Sequence, residues 1–519
     1  MKRQRIIGVG VALAALLGFG VSPAPALTAS AAAADRPPAQ VQWGACPDDV
    51  VAEAAPTKLD CATVPVPVDY TKPKGDRIDL MVSRLASTTP KKRRGILMLN
   101  PGGPGGSGLT LSAVLVRLGL PASVTDAYDI IGMDTRGVGH SGTVSCGFTD
   151  DSPYYSNIPP YAVDDAAVTA QAKIVKQVAE QCASHDRDDR LRHLTTANMA
   201  RDLDRIRAAL GEKKTSFLGY SYGSALGAAY ASMFPKRSDR IVLDSNIGDT
   251  HLDRDGLRRF ALGMEDTFPD FAKWAAARHD TYGLGATPAQ VRETYFSIAE
   301  RLDKEPEAGL DGGLFRLNTF GLLFAARLYP ELAEFWQSML SPTTTATRQS
   351  TLSRTMTATR QSILSPTTTA TTSAPSPYDN FLSVFVSVTC NDVKWPQDID
   401  TYRRAVAEDR IRYPLFGAAA ANITPCAFWP HSPAEPPVAI NDEGPRNVLI
   451  VQNLHDVPTP HRGGELLRQK FEDRSRLLSV DGSGHGVYVV GRNSCALSTT
   501  TRFLVKGVMP AKDMLCSAG

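Results

Sequence analysis

The 519-residue chain has no excess of charge of either sign: 56 Lys and Arg stand against 54 Asp and Glu. That balance leaves no electrostatic footprint for a nucleic acid or an anionic membrane surface. Beyond the N-terminus there is no apolar stretch of the roughly 20 residues that a spanning helix needs. None of the eight cysteines stands in C-x-x-C spacing, which argues against a zinc ribbon or a thioredoxin-like redox centre. Histidine is scarce, nine in all, so any histidine chemistry has few candidates. No metal and no organic cofactor is implied.

What is present begins with a leader. Lys2, Arg3 and Arg5 form a basic start, Ile6 to Val21 is apolar, and small residues follow up to Ala34. This is the pattern of a signal peptide, expected over 1–34 and removed on export. The apolar part is too short to anchor the chain. Loss of three basic residues takes the formal charge from +2 to near neutrality, and the mature chain is expected to be extracellular, off the membrane and monomeric. All eight cysteines, Cys46, Cys61, Cys146, Cys182, Cys390, Cys426, Cys495 and Cys516, lie beyond the leader. An even count in an oxidising compartment predicts disulfides. Eight cysteines allow about a hundred connectivities. Pairing in sequence order is the expectation, because each bridge then closes a local loop.

From Ile78 to Ser245 short apolar runs alternate with helical patterns. "GILMLNPGG", "YDIIGMD", "TSFLGY" and "RIVLDS" read as buried strands. Residues 166–184 and 197–210 read as helices, the second led by Thr195 and Thr196 as N-caps. Such alternation predicts an α/β fold, a parallel sheet covered on both faces. After Asp244 the pattern turns helical: "DGLRRFALGMEDTFPDFAKWAAAR", "TPAQVRETYFSIAERLDKE" and "FGLLFAARLYPELAEFWQSML". The strand–helix pattern resumes with "NVLIVQNLHD". The expected organisation is a core segment over 41–245, a helical lobe over 246–443 and a second core segment over 444–519. Within the lobe, residues 341–377 are rich in Thr, Ser and Pro and carry a near-repeat, "TATRQSTLS" and "TATRQSILS". That composition cannot build a core and reads as a surface insertion.

Gly219-Tyr220-Ser221-Tyr222-Gly223 matches G-x-S-x-G between a strand and an alanine-rich helix, the setting of a nucleophile elbow. A serine nucleophile needs oxyanion donors, a base and a group that orients the base. The backbone N–H of Tyr222 is one expected donor. The other is Gly103, in the glycine-rich loop "NPGGPGGSG" that follows an early strand. A phosphate-binding role for that loop is disfavoured, since it lacks a G-K-[ST] ending and Pro101 and Pro104 remove donors. His431, His455, His461 and His485 follow Ser221. His485, in the glycine-flanked loop "DGSGHGVY", is the expected base. The acid is Asp456, at the end of a strand and upstream of that histidine, with Asp244 as its competitor after the strand beside the elbow.

"NPGGPGGSG", "DTRGVGHSG", "GYSYG", "HDVPTP" and "GSGHG" together resemble the prolyl-iminopeptidase family of α/β-hydrolases, and within it the secreted tripeptidyl aminopeptidases of actinobacteria. "CATVPVPVDY", "TCNDVKWP" and the Cys495/Cys516 pair resemble the same group. The resemblance covers nearly all of the mature chain. It implies an α/β-hydrolase fold with an inserted helical cap, and peptide or protein substrates with a free N-terminus. It also implies Ser221 as nucleophile, His485 as base, Asp456 as its orienter, and Gly103 and Tyr222 as oxyanion donors. Asp134 and Arg136 would brace loops at the sheet edge. An enzyme that reads a free N-terminus needs an acid for the ammonium, and Asp392 in "TCNDVKWP" is the candidate. The insertion over 341–377 departs from the family pattern. Two rivals remain: an esterase on the same triad, and a binding protein on an inactive hydrolase scaffold.

Overall fold

The computed structural model describes residues 41–307, 309–340 and 375–518. The leader expected over 1–34 and nearly all of the insertion expected over 341–377 lie outside them.

Ten strands form one sheet among these residues: β1 (Gly44–Ala45), β2 (Asp60–Pro67), β3 (Arg77–Leu85), β4 (Gly95–Asn100), β5 (Tyr128–Met133), β6 (Thr215–Tyr220), β7 (Ser238–Asp244), β8 (Val448–His455), β9 (Ser475–Ser483) and β10 (Met514–Cys516). Their order is β1-β2-β3-β5-β4-β6-β7-β8-β9-β10. From β5 to β10 every pairing is parallel. β1, β2 and β3 add an antiparallel edge. A parallel strand covered on both faces must be apolar throughout. Accordingly every residue of "GILMLN" in β4 and "TSFLGY" in β6 is buried.

The longer helices are α1 (Asp165–His185), α2 (Thr196–Ala209), α3 (Tyr222–Met233), α4 (Arg254–Ala276), α5 (Pro288–Lys304), α6 (Gly312–Leu322), α7 (Tyr329–Leu340), α8 (Pro377–Asp392), α9 (Ile399–Arg412), α10 (His461–Phe471) and α11 (Ser494–Lys506). Local chemistry sets several of their starts. Thr195 accepts the N–H of Asn198 at 3.1 Å and caps α2, and Asp253 accepts that of Gly256 at 2.7 Å and caps α4. Ser376 caps α8, with Pro377 at its first position. None of the described helices is long and apolar enough to cross a membrane.

β7 and β8 are neighbours in the sheet, yet all the chain from Ser245 to Asn447 lies between them. The described elements of that excursion are helices. One expectation fails inside it. "FGLLFAARLYPELAEFWQSML" reads as a single helix, but α6 stops at Leu322 and α7 starts at Tyr329. Pro330 fits the first turn of a new helix better than the interior of an old one. Between the two helices Ala325 pairs with Gly484 as an isolated bridge. A tertiary contact has outweighed local periodicity, and it falls beside the loop that carries His485.

The four disulfides pair in sequence order: Cys46–Cys61, Cys146–Cys182, Cys390–Cys426 and Cys495–Cys516.

Candidate active site

Ser221 sits at the turn from β6 into α3 with φ 58° and ψ −124°. A non-glycine residue adopts that conformation only where its surroundings enforce it. Here the N–H of Ser221 donates to the carbonyl of Asp244 at 2.9 Å, and its own carbonyl accepts the N–H of Ser224 at 2.8 Å. The turn is also too tight for side chains on either side. A Cβ on Gly219 would lie 2.2 Å from the carbonyl oxygen of Gly223. The second close approach comes from the glycine-rich loop after β4. A Cβ on Gly102 would lie 2.5 Å from the carbonyl oxygen of Tyr220 and 2.8 Å from the Cβ of Ser221. Asn100 fixes this loop by accepting the N–H of Gly102 at 3.0 Å. Gly103, the next residue, lines the same cavity as Ser221 and Tyr222.

His485 lines that cavity from the opposite segment of the core. Its Nδ1 lies 3.0 and 3.1 Å from the two carboxylate oxygens of Asp456, and 3.1 Å from Oγ1 of Thr459. Asp456 is fully buried and also accepts the N–H of Thr459 at 3.1 Å. Burial pulls the imidazole's pKa down, but the charge and hydrogen bond of Asp456, with a contribution from Asp244, raise it overall. Nδ1 is thereby held toward the acid, which leaves Nε2 as the free nitrogen. The backbone N–H of His485 donates to the carbonyl of Phe324 at 2.7 Å. The Phe324 ring stands edge-on to the imidazole, with centroids 5.4 Å apart. The break between α6 and α7 therefore supplies one wall of the site.

The cavity measures about 80 Å³. Its remaining wall is mainly apolar, made by Ile158, Leu252, Phe260, Phe320, Phe324 and Phe385. Phe381, on α8, would lie 3.2 Å from a Cβ on Gly103, so the excursion presses on the glycine-rich loop as well.

The structure brings Ser221, His485, Gly103 and Tyr222 to one cavity, with Asp456 directly behind the imidazole. It does not bring Asp392 there. Asp392 ends α8 and is 7% exposed. Its carboxylate accepts the N–H of Thr196 at 2.8 Å and its hydroxyl at 2.6 Å. Thr196 Oγ1 lies 2.5 Å from the hydroxyl of Tyr222. Burial pushes the Asp392 pKa up to about 7, against the two Thr196 bonds that lower it. Asp392 thus ties α8 to α2 and to the residue after the serine. Asp134 accepts Ser107 Oγ at 2.6 Å and the N–H of His140 at 2.9 Å. Arg136 is buried against Asp202, with two bonds of 2.7 Å. Phe324 and Thr459 escaped sequence reasoning. Thr459 stands three residues after Asp456 in "DVPTP" and could have been suspected, whereas Phe324 carried no local signal.

Among the described residues, only Asp186, Asp189 and His431 form a group of potential metal ligands. Asp186 already accepts the N–H groups of Arg190 and Leu191, and Asp189 pairs with Arg192. No ion is assigned to them.

Residues 95–300 match the α/β-hydrolase fold family, and residues 413–516 match the TAP-like protein family. The chain is 33% identical over 500 residues to the tripeptidyl aminopeptidase of Streptomyces coelicolor, covering 94% of this chain and 88% of that one. The chain belongs to the tripeptidyl-aminopeptidase family of α/β-hydrolases. Other members of comparable length are similar to it. The serine protease Hip1 of Mycobacterium tuberculosis is 29% identical, covering 92% of this chain and 91% of that one. A carboxylesterase B of the same species is also 29% identical, covering 92% and 90%. The chain is accordingly a serine hydrolase of this family.

Proposed function

We propose that this chain is an exported aminopeptidase that releases short peptides, tripeptides foremost, from the free N-termini of peptides and proteins. Ser221 Oγ attacks the scissile carbonyl while His485 Nε2 takes its proton. Asp456 holds the ring by Nδ1 and stabilises the imidazolium. The N–H groups of Tyr222 and Gly103 receive the oxyanion. His485 then protonates the leaving amine, and water hydrolyses the acyl-enzyme by the same route. The observation that carries this reading is the His485–Asp456 pair sharing a cavity with Ser221, Tyr222 and Gly103. Export is supported by the basic-then-apolar leader pattern and by four disulfides that use every cysteine. In this reading residues 246–443 form the cap over the site.

The apolar wall beside Ser221 favours release of several residues over release of one. If a single residue were removed, its ammonium would sit within a few ångströms of the serine and would need a carboxylate there. If three were removed, the ammonium would lie about 10 Å out along an extended chain. The cavity would then hold only the side chain next to the scissile bond.

A carboxylesterase is the second reading. It is favoured by the same apolar wall and by the similarity to a protein named carboxylesterase B. Purified mature protein should be assayed on two chromogenic tripeptide anilides, one with a free and one with an acetylated N-terminus, with Ser221→Ala as control. Cleavage of the free form alone, lost in the variant, is the expected result. Ser221-dependent hydrolysis of a simple ester with neither anilide cleaved would replace the peptidase by the esterase.

A further inference from the structure

Asp244 ends β7 and is fully buried. In the sequence it competes with Asp456 for the catalytic imidazole. Its carboxylate is engaged elsewhere: Oδ1 accepts the N–H of Val487 at 2.9 Å, and Oδ2 that of Tyr488 at 2.7 Å. Ser245, the next residue, accepts the N–H of Gly486 on its Oγ at 2.8 Å. Ser245 itself holds φ 56°, a conformation that L side chains seldom adopt. Two successive side chains at a strand end therefore hold three successive N–H groups directly after His485. The main chain of Asp244 reaches the other half of the site, because its carbonyl accepts the N–H of Ser221.

The loop needs such anchors. Gly484 and Gly486 flank His485 at φ 122° and 90°, and glycines of this kind give the backbone wide freedom and little preference of its own. The carbonyl of Phe324 fixes the N–H of His485, and Asp244 with Ser245 fixes the three residues after it.

We propose that Asp244 and Ser245 are positioning residues, which anchor the backbone of 486–488 and so set the His485 imidazole between Asp456 and Ser221. The inference rests on the hydrolytic reading of the site and assigns Asp244 a task distinct from that of Asp456. It also carries an electrostatic consequence. Burial pushes the Asp244 pKa up to about 7, against the bonds from Tyr488, Val487 and Ser245, which favour the carboxylate. The titratable groups that face it are His485, Tyr488 from the loop and Tyr220 from β6. When ionised, Asp244 helps His485 hold its proton.

The test uses the full mature chain, with Asp244→Asn and Ser245→Ala. Folding is followed by thermal melting, and competent serine is counted with a fluorophosphonate probe. Asp244→Asn keeps one acceptor and removes the charge. Its kcat should fall about 10- to 100-fold, in line with the cost of misplacing a catalytic group by about 1 Å, with KM changed less than about threefold. The acid limb of kcat/KM should move to lower pH, because an imidazole without a neighbouring negative charge loses its proton more easily. A merely structural role would lower the melting temperature without moving that limb. Ser245→Ala removes one anchor and no charge, so kcat should fall severalfold with the limb unmoved. A folded Asp244→Asn with kcat within about twofold of the parent and an unmoved limb would overturn the proposal. If Asp244→Asn does not fold, Ser245→Ala decides: a lower kcat at constant KM supports the inference, and an unchanged kcat sinks it. If the parent protein neither labels nor turns over, the hydrolytic reading itself has failed.

Discussion

The sheet and the helical excursion between β7 and β8 are built from different chemistry. The central strands bury aliphatic side chains such as Ile96, Leu97, Leu99, Leu218 and Val242. The excursion buries aliphatic side chains too, such as Leu257, Ile298 and Leu302, and adds a dense cluster of rings. Trp336 has ring centroids of Phe271, Tyr295, Phe315 and Phe268 within 5.2 to 6.0 Å. Hydrogen-bonded strands fix the position of every backbone atom at their ends, so groups that must meet within tenths of an ångström belong there. Ring packing covers large areas and has more than one favourable arrangement, as the stacked, tilted and edge-on pairs around Trp336 show. A substrate wall can therefore change in the excursion while the reacting groups stay put. In this division of labour, damage to the sheet side should lower kcat, and damage to the other side should alter substrate binding.

The largest effect is expected from Ser221→Ala and His485→Ala, each reducing turnover of a tripeptide anilide by roughly 10⁴- to 10⁶-fold. Asp456→Asn should cost about 10⁴-fold in kcat, because the ring loses its tautomer and orientation. Retention of more than a tenth of the activity in any of the three would break the assignment of catalysis to the sheet. Phe324→Ala tests the other side. It removes the ring beside His485 but leaves the carbonyl that holds the His485 N–H. An approximately tenfold loss in kcat/KM is expected, carried mainly by KM. A pure kcat loss would show that the Phe324 ring, in addition to its carbonyl, positions the base.

A third comparison uses the bridges. Cys390–Cys426 closes a loop of sequence separation 36 within the excursion. Replacing both cysteines by alanine should cost about 3 kcal/mol of stability, seen as a lower melting temperature and a raised KM. The same change at Cys495–Cys516, at the sheet edge and with separation 21, should lower the melting temperature with KM unmoved.

The smallest effect concerns Asp392, which joins the two regions. Its pKa is raised from the ordinary 3.8 to about 7 in the folded protein. Between those values the native state binds more protons than the unfolded one, so this group's stabilising contribution is complete below about pH 4. It is lost as pH rises through about 7. Asp392→Asn removes that dependence. The melting temperature of the variant relative to the parent should therefore rise by a few degrees between pH 4 and pH 8. A difference that stays flat across this range would show that burial does not raise the Asp392 pKa in the folded protein.

Much of the site was legible because its signals are local. The elbow is a five-residue motif between a strand and a helix; Gly219 is demanded by a contact within that motif, and Gly223 by the close approach of Asn100 at the end of β4. Thr195 announces α2 by cap chemistry alone. Asp456 and His485 could be picked out from their strand-end settings and their order after Ser221. The disulfides followed from an even count and the cost of closing long loops. Other features were not legible. Periodicity across "FGLLFAARLYPELAEFWQSML" predicted one helix, and nothing within those residues reports the pairing of Ala325 with Gly484. Asp392 reads as the acid for a substrate ammonium, and only the fold shows it buried against Thr196, away from the cavity of Ser221.

The sequence by itself determined that this chain alternates strands and helices, carries a serine elbow and can place a histidine and an acid after it. Each of these depends on neighbours within a few residues. Chain order favoured Asp456 over Asp244 as partner of His485, but both end parallel strands, and the contacts that give them different tasks are tertiary. The choice turns on which carboxylate meets Nδ1 and which meets the backbone beyond the ring. Tertiary structure likewise decided that the Phe324 ring stands edge-on to the imidazole, because that contact joins segments about 160 residues apart, and pairings at such separation are set by packing rather than by local propensity.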